Sequence, residues 1–297
     1  MNIKPYKDFG DLLRTVFPFK VQKISIHAGF TCPNRDGTKG WGGCTYCNNQ
    51  TFSPSYTARP ASVAQQMEEG IRFFSRKYPQ MKYIAYFQSY TNTYDSIENV
   101  LEKYREALHH PDVVGLIIGT RPDCMSDELL DELERITQNY FLLIEYGIES
   151  TDNATLKQIN RGHSYEEAVE TIRHTHARAI RCGAHLILGL PGESREMILS
   201  HADRISQLPL TTVKLHQLQL VKHTKMAQQY LEHPEQFHFY SVDEYIDLCI
   251  EFLQHLNPDF YIDRFVSQSP QELLMVPGWG LKNYEFTEQL HKRMRMH

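Results

Sequence analysis

Six short, nearly continuous apolar runs constrain this chain more than any other feature. They are "KISIHAG", "YIAYFQS", "VVGLIIG", "FLLIEYG", "AHLILGL" and "VKLHQLQL", beginning near residues 23, 83, 113, 141, 184 and 213. Each is of strand length, and a strand that is apolar on successive residues needs cover on both faces, as parallel strands do. The intervals between them read as helices. Ser62 with Gln65, Ser164 with Glu167 and Ser241 with Glu244 each fit a capping box. In "SDELLDELERI", Leu129, Leu130, Leu133 and Ile136 fall on one helical stripe. Six βα units in succession predict an α/β fold, a partial (βα)6 TIM-like barrel, since six repeats are too few to close an eight-fold ring. A doubly wound sheet is the competing arrangement. A further helix near 242–256 and a strand in "FYIDRFV" follow the sixth unit. They predict a C-terminal extension, residues 241–297, packed on a barrel of residues 1–240 and not an independent domain. A chain of 297 residues is long enough to bury one large core.

In a βα barrel the chemistry collects at the C-terminal ends of the strands, and here those ends are polar. The first run leads into "TCPNRDGTKGWGGCTYC", the start of a loop over residues 31–60 that holds Cys32, Cys44 and Cys47. The later runs lead to Gln88-Ser89-Tyr90-Thr91-Asn92, to Thr120, Arg121 and Asp123, to Glu149-Ser150, to His185 with "GLPGE", and to Gln217 and Gln219. Cys44-x-x-Cys47 lets two thiolates meet one metal or cluster, and a glycine-rich loop lets Cys32 return to it. A structural zinc site is normally closed by four ligands, and His27 could supply the fourth. A [4Fe–4S] cluster normally takes four thiolates; three leave one iron open to an outside ligand. Cys124, Cys182 and Cys249 are scattered and read as buried, inert thiols. Trp41 and Trp279 read as packing residues, with stacking on a ring as the alternative.

The net charge of -5 argues against general nucleic-acid or membrane binding. It is unevenly spread, however. Residues 1–40 carry seven Lys/Arg against three Asp, and the tail "HKRMRMH" is basic. A polyanionic partner is therefore expected near the two termini. No apolar run approaches the length of a membrane span, and the N-terminus has no hydrophobic signal core. These features predict a cytoplasmic protein without membrane contact, its cysteines reduced and disposed to ligate metal.

Three cysteines after the first strand of a βα series resemble the radical S-adenosylmethionine (SAM) superfamily. The spacing here, C-x11-C-x2-C, departs from that superfamily's usual C-x3-C-x2-C. The long gap is similar to that of the bacterial relatives of the Elongator catalytic subunit, as are "AYFQSYTNTY", "GTRPD", "EYGIES", "INRGH", "LILGLPGE" and "KLHQLQLVKHT". The resemblance implies that Cys32, Cys44 and Cys47 ligate three irons of a [4Fe–4S] cluster and that SAM chelates the fourth. It implies an enzyme that cleaves SAM to a 5′-deoxyadenosyl radical, with an electron donor such as flavodoxin or ferredoxin. Arg161 in "NRGH" matches an arginine that pairs with the SAM carboxylate. Glu149 stands where relatives direct Gln or Glu to the ribose, and His185 where some carry Asp near it. Tyr46 matches an aromatic beside adenine. Gln88 and Ser89 occupy the place of a Gly-Gly-Glu-type segment by position only. Tyr90, Asn92 and Arg121 would face the open mouth and the substrate.

For the substrate, the same resemblance points to tRNA, and to conversion of a carboxymethylaminomethyl group on the wobble uridine to aminomethyl. No acetyltransferase domain follows the barrel, so Elongator's own carboxymethylation is not expected. The alternatives are a radical SAM enzyme acting on a small molecule or peptide, a zinc-stabilised binding protein using the three cysteines and a histidine, and a dithiol redox protein using Cys44 and Cys47 alone.

Overall fold

The computed structural model describes residues 4–51, 61–76 and 80–296. Residues 52–60 of the expected cysteine loop and His297 of the basic tail lie outside the described residues. The six apolar runs all become strands: β2 (Val21–Ile26), β3 (Lys82–Phe87), β4 (Val113–Thr120), β5 (Phe141–Glu149), β6 (Arg181–Leu188) and β7 (Thr212–Gln217). They follow β1 (Lys7–Asp8) and α1 (Phe9–Val16). Between and after them run α2 (Val63–Ser75), α3 (Ile97–Leu108), α4 (Asp127–Thr137), α5 (Asn153–Gln158), α6 (Tyr165–Ala177) and α7 (Arg195–Ile205). The remaining elements are β8 (Leu220–Val221), α8 (Lys225–Glu232), α9 (Val242–His255), β9 (Tyr261–Arg264), β10 (Leu274–Val276) and α10 (Asn283–Met294). All three capping boxes form, with Ser62, Ser164 and Ser241 each accepting from the backbone three residues on.

The main sheet has eight strands in the order β1-β9-β7-β6-β5-β4-β3-β2, every pair parallel. This is the expected partial α/β barrel, widened by two strands. β9 extends the sheet beyond β7, and the two-residue β1 adds a last strand beside it. Two residues with no apolar run carry no strand signal of their own, so β1 was not foreseen. The C-terminal segment is bound into the barrel through β9 and through α9, which packs on α7.

Alternation along the strands sorts the core into two layers. On β5, Leu142, Ile144, Tyr146 and Ile148 face the helices, and Phe141 and Leu143 face inward. Inside, Ile84, Tyr86, Ile117, Phe141 and Leu143 meet Phe9 and Leu12 of α1, so α1 plugs the N-terminal end of the half-barrel. Above this plug the inward residues turn charged. Lys214 of β7 donates to Glu145 of β5 at 2.7 Å and to Tyr86 of β3 at 2.9 Å, and its ammonium lies 2.8 Å from Asp263 of β9. Lys23 of β2 reaches the same Asp263 at 2.7 Å and lies over the Phe9 ring. The two ends of the open sheet are thus joined by side chains rather than by a ladder.

Part of the positive charge at the two termini is paired with neighbouring acids on folding. Lys4 pairs with Asp8, Arg14 with Asp11, and Lys7 with Asp259 at 2.7 Å. Arg293 in the basic tail holds Asp243 and Asp247. These cations tie the termini to neighbouring acids, and Lys7 lies at the start of β9, the strand end opposite the cysteine loop.

Lys214 is 3% exposed and compensates two buried carboxylates. Replacing it with Met leaves Glu145 without a cation, held only by His185, and Asp263 with Lys23 alone, a change that costs about 3–5 kcal/mol for a broken buried pair. Lys4→Met removes an exposed pair worth under about 1 kcal/mol. Urea unfolding of the two variants should show that separation; equal losses would mean that the buried network is not what holds the barrel floor.

Candidate functional site

A cavity opens at the C-terminal ends of the strands, and Cys32, Cys44 and Cys47 all line it. Tight turns bring them there. The Cys32 carbonyl accepts from Arg35 N and Asp36 N, and Cys47 N donates to the Cys44 carbonyl at 3.0 Å. Asn34, 1% exposed, fixes the loop to the turn after α5: its Nδ2 donates to Asn160 O at 2.7 Å and Arg161 O at 3.0 Å and lies 3.6 Å from Cys44 Sγ. Asn160 returns a bond from Nδ2 to Gly43 O at 2.9 Å, and Thr45 N donates to Ile159 O at 2.9 Å. Arg35 Nη2 holds Cys47 O at 2.9 Å. Burial and the neighbouring Cys44 push the Cys47 thiol up to about 11.

Arg161 stands against this loop. Its Nη2 donates to Gly147 O at 2.6 Å and lies 3.5 Å from Glu149 Oε1, its Nη1 is 3.5 Å from Cys44 Sγ, and its buried Nε has no partner. Glu149 is aimed into the cavity by an irregularity: the β5–β6 register shifts between Gly147 and Glu149, and Glu149 adopts φ +71°. Bulges re-aim side chains in this way, and a left-handed non-glycine residue is held only where its surroundings demand it. A Cβ on Gly147 would lie 2.5 Å from Glu149 Oε1 and 2.6 Å from Arg161 Nη2, so the pair requires glycine there. Tyr46 lines the same wall, its hydroxyl pushed well above its ordinary pKa by burial and by Glu149.

The floor is built from Tyr86, Glu145, His185 and His216. Burial alone would raise the Glu145 carboxyl, but Lys214 and then His185 outweigh it and hold it well below the carboxylate range. An ionised Glu145 accepts only, so His185 donates to it from Nε2 at 2.9 Å and keeps Nδ1 as its acceptor. Burial, with Lys214 beside His185 and Arg264 beside His216, lowers both imidazoles, and the two rings stand 5.5 Å apart in neutral form.

Other expected residues divide. Gln88, Tyr90 and Arg121 line the cavity. Tyr90, at φ +65°, sets its ring 5.7 Å from His27. Arg121, 2% exposed, is gripped by Asp123 through Nε and Nη2, both at 2.9 Å, and its buried Nη1 is unpartnered. Ser89 is buried outside the lining. Asn92 is not at the mouth: it is fully buried, and its amide donates to Phe87 O and Gly119 O, clamping β3 to β4. Residues that the sequence did not single out, Tyr86, Glu145 and His216, complete the site, and Asn34, from a run that reads as shaping the loop, fixes it. Burial pushes the thiols of Cys124 and Cys182 up to about 12. The two tryptophans differ: Trp279 stacks on Phe286 and donates to Tyr240 O, but Trp41 is 72% exposed and lies outside the core. His27 accepts from Gly29 N at 3.1 Å. Among the described residues no three His, Cys, Asp or Glu side chains are gathered to hold a single ion. A cluster presents one iron to each thiolate, so its ligands stand around a body instead of meeting at a point.

Residues 32–205 match the radical SAM superfamily, and residues 210–296 match the Radical_SAM C-terminal domain. The chain belongs to the radical SAM superfamily. It is 34% identical to the uncharacterized protein YtqA of Bacillus subtilis (strain 168), over 98% of this chain and 90% of that one. Over 96 residues, 32% of this chain and 17% of the other, it is 31% identical to a tRNA uridine(34) acetyltransferase of Methanocaldococcus infernus. Its fold is similar to that of archaeal Elp3 from Methanocaldococcus infernus (TM-score 0.71, 17% identity), covering 94% of this chain and 63% of that one, less than two thirds. As a radical SAM protein it is an enzyme whose cofactors are a [4Fe–4S] cluster and SAM. The residues present fit both groups. Three thiols share one cavity, amide and guanidinium donors face two of the sulfurs, and Arg161 Nε and Arg121 Nη1 are buried donors still without an acceptor. No helix among the described residues is long and apolar enough to cross a membrane.

His163, next to this turn, faces the carbonyls of Ser164 and Gly147 with its two ring nitrogens, and burial and Arg161 push it down to about 3. A depressed histidine leaves the unfolded chain holding more protons as the pH falls. The stability it contributes is complete above its unfolded pKa of about 6.5 and is lost as the pH drops towards 3. His163→Gln should therefore show a shallower loss of unfolding free energy between pH 7 and pH 4.5 than wild type. Parallel pH curves would show that His163 is not buried in neutral form.

Proposed function

We propose that this radical SAM enzyme modifies the wobble uridine of tRNA in the cytoplasm, converting its carboxymethylaminomethyl side chain to aminomethyl. The observation that carries the reading is the similarity to a tRNA uridine(34) acetyltransferase, together with an Elp3-like fold over 94% of the chain. Cys32, Cys44 and Cys47 hold the cluster. Arg161 and Glu149 orient SAM, the guanidinium toward its carboxylate and the carboxylate toward the ribose hydroxyls, with Tyr46 against adenine and Gln88 and Ser89 at the edge of the pocket. When bound, cluster and SAM would supply the one-electron chemistry that removes a hydrogen atom from the N–CH2 carbon of the carboxymethyl group, with a flavodoxin or ferredoxin providing the first electron. Return of one electron from the substrate to the cluster and loss of a proton would leave an imine, which water hydrolyses to the free aminomethyl group and glyoxylate.

The chain's own residues position the substrate. Arg121, braced by Asp123, offers Nη1 to the carboxylate of the side chain being removed, as a planar guanidinium suits. The neutral floor of His185 and His216 accepts the amine end without adding charge. Tyr90 closes one side of the mouth.

Single replacement of Cys32, Cys44 or Cys47 by Ala should abolish the cluster of about four irons, whereas replacement of Cys124, Cys182 or Cys249 should spare it; iron and sulfide analysis reads this directly. Arg161→Ala and Glu149→Ala should keep the cluster and weaken SAM binding about ten- to a hundredfold, the worth of one charged hydrogen bond of roughly 1.5–3 kcal/mol. Unchanged affinity in both would remove them from the SAM pocket. Nucleoside profiling of tRNA from a deletion strain tests the substrate: carboxymethylaminomethyluridine should accumulate at the expense of aminomethyl products. An unaltered profile would overturn the tRNA reading and favour a small-molecule or peptide substrate.

A further inference from the structure

The surface beside the cavity carries an aromatic ring that the fold holds in place and leaves uncovered. Trp41 belongs to the cysteine loop, two residues before Gly43, which lines the cavity. Its backbone is fixed by a bridge to Asp36 and by the bond from Gly37 N to Gly40 O at 3.2 Å. The indole rests on Gly37, φ +93°, so closely that a Cβ there would lie 2.3 Å from ring atom Cζ2. One side of the ring is therefore seated on bare backbone, and the residue as a whole is 72% exposed. An exposed tryptophan that only filled space would need no such seat.

The charge around it is positive. Lys225 reaches the Trp41 carbonyl at 3.5 Å, and Lys222 donates to the Glu272 carbonyl at 2.8 Å. Both ammonium groups are spent on neutral oxygens and keep their full charge toward solvent. Lys39 adds a third cation, shared with Asp123. Asp36, the carboxylate of the same turn, accepts from Thr38 N and keeps its own negative charge, so Lys222 and Lys225 exceed it by one. This is a local basic surface apart from the termini, and it adjoins the cavity mouth. A seated ring with one open face among unneutralised lysines suits a partner with flat aromatic bases and a phosphate backbone, because stacking and counterion release supply affinity together.

Resting on the tRNA reading above and naming the contact it lacks, we propose that Trp41 is a stacking platform for an unpaired base of an RNA loop, with Lys222 and Lys225 holding the adjoining phosphates. Stacking brings the loop to the rim beside Gly43, and so delivers a neighbouring nucleotide to the cavity. Trp41 touches no reacting atom in this arrangement; it positions the RNA.

The test uses the full-length, cluster-reconstituted protein and an anticodon stem-loop RNA, with a blunt duplex of equal charge as control. Trp41 emission is taken as the difference between wild type and Trp41→Phe. It should be quenched saturably by the stem-loop and little by the duplex. Trp41→Ala should weaken stem-loop binding on the order of tenfold or more, with Trp41→Phe largely restoring it, and should leave the salt dependence of binding unchanged. Lys222→Ala with Lys225→Ala should lower the slope of log K against log salt by about 1.4–1.8, the share of two phosphates. Iron content confirms that each variant is folded. If wild type binds the stem-loop with Trp41 unquenched and Trp41→Ala binds equally well, the platform is overturned and the tRNA reading stands. Quenching and affinity equal for duplex and stem-loop would also overturn it, since no unpaired base is then required. If wild type binds neither RNA at low salt, the tRNA reading falls and the platform with it.

Discussion

The interior of this half-barrel depends on one buried ammonium. Lys214 stands where three strands other than its own converge and contacts Glu145, Asp263 and Tyr86. Remove its charge and Glu145 is left without a cation in a low-dielectric interior, where an unpaired ion is costly, while Asp263 keeps only Lys23. The pairing has a chemical consequence as well. Because Lys214 keeps Glu145 ionised, His185 must donate to it from one nitrogen and present the other as an acceptor. The floor of the cavity is thereby fixed in tautomer and orientation from below, before any ligand arrives.

The β9 end of this network relies on a local defect. The β7–β9 register shifts between Val213 and Lys214, which pair with Ile262 and Arg264. A bulged strand can turn consecutive residues to one side. Here Asp263 reaches Lys214 and Lys23 while Arg264 reaches the His216 ring. A regular strand would send one of them to the helices. The matching irregularity on β5 does the same for Glu149. Both irregularities lie where the apolar plug gives way to the polar cavity.

Much of this was legible in the sequence. Apolar runs announce strands because burial on both faces leaves no choice of residue, and all six were found. The cysteine loop was legible because three thiols at that spacing have few other uses. The floor could have been read by alternation: Glu145 interrupts "FLLIEYG" as a lone charge in an apolar strand, and Lys214 and His216 alternate with Val213 and Leu215. Other features left no trace. β1 is two residues without an apolar run, and its pairing with β9 spans most of the chain. The pairing at the termini was missed because net charge along a sequence does not say which acids folding brings near, and Asn92 because an amide that clamps two strands looks the same as one that greets a substrate.

That long-range pairing also orders events during synthesis. β1 has its sheet partner at Tyr261 and Ile262, and Lys23 has its carboxylate at Asp263. The N-terminal strands therefore leave the ribosome roughly two hundred and forty residues ahead of the partners that complete them. Until then Lys23 and Lys214 lack a shared counter-ion, and the floor beneath the cysteines is unfinished. The cysteine loop, made early, waits as reduced thiols on an incomplete wall. The wall beneath the cysteine loop is on this account complete only once β9 has been made.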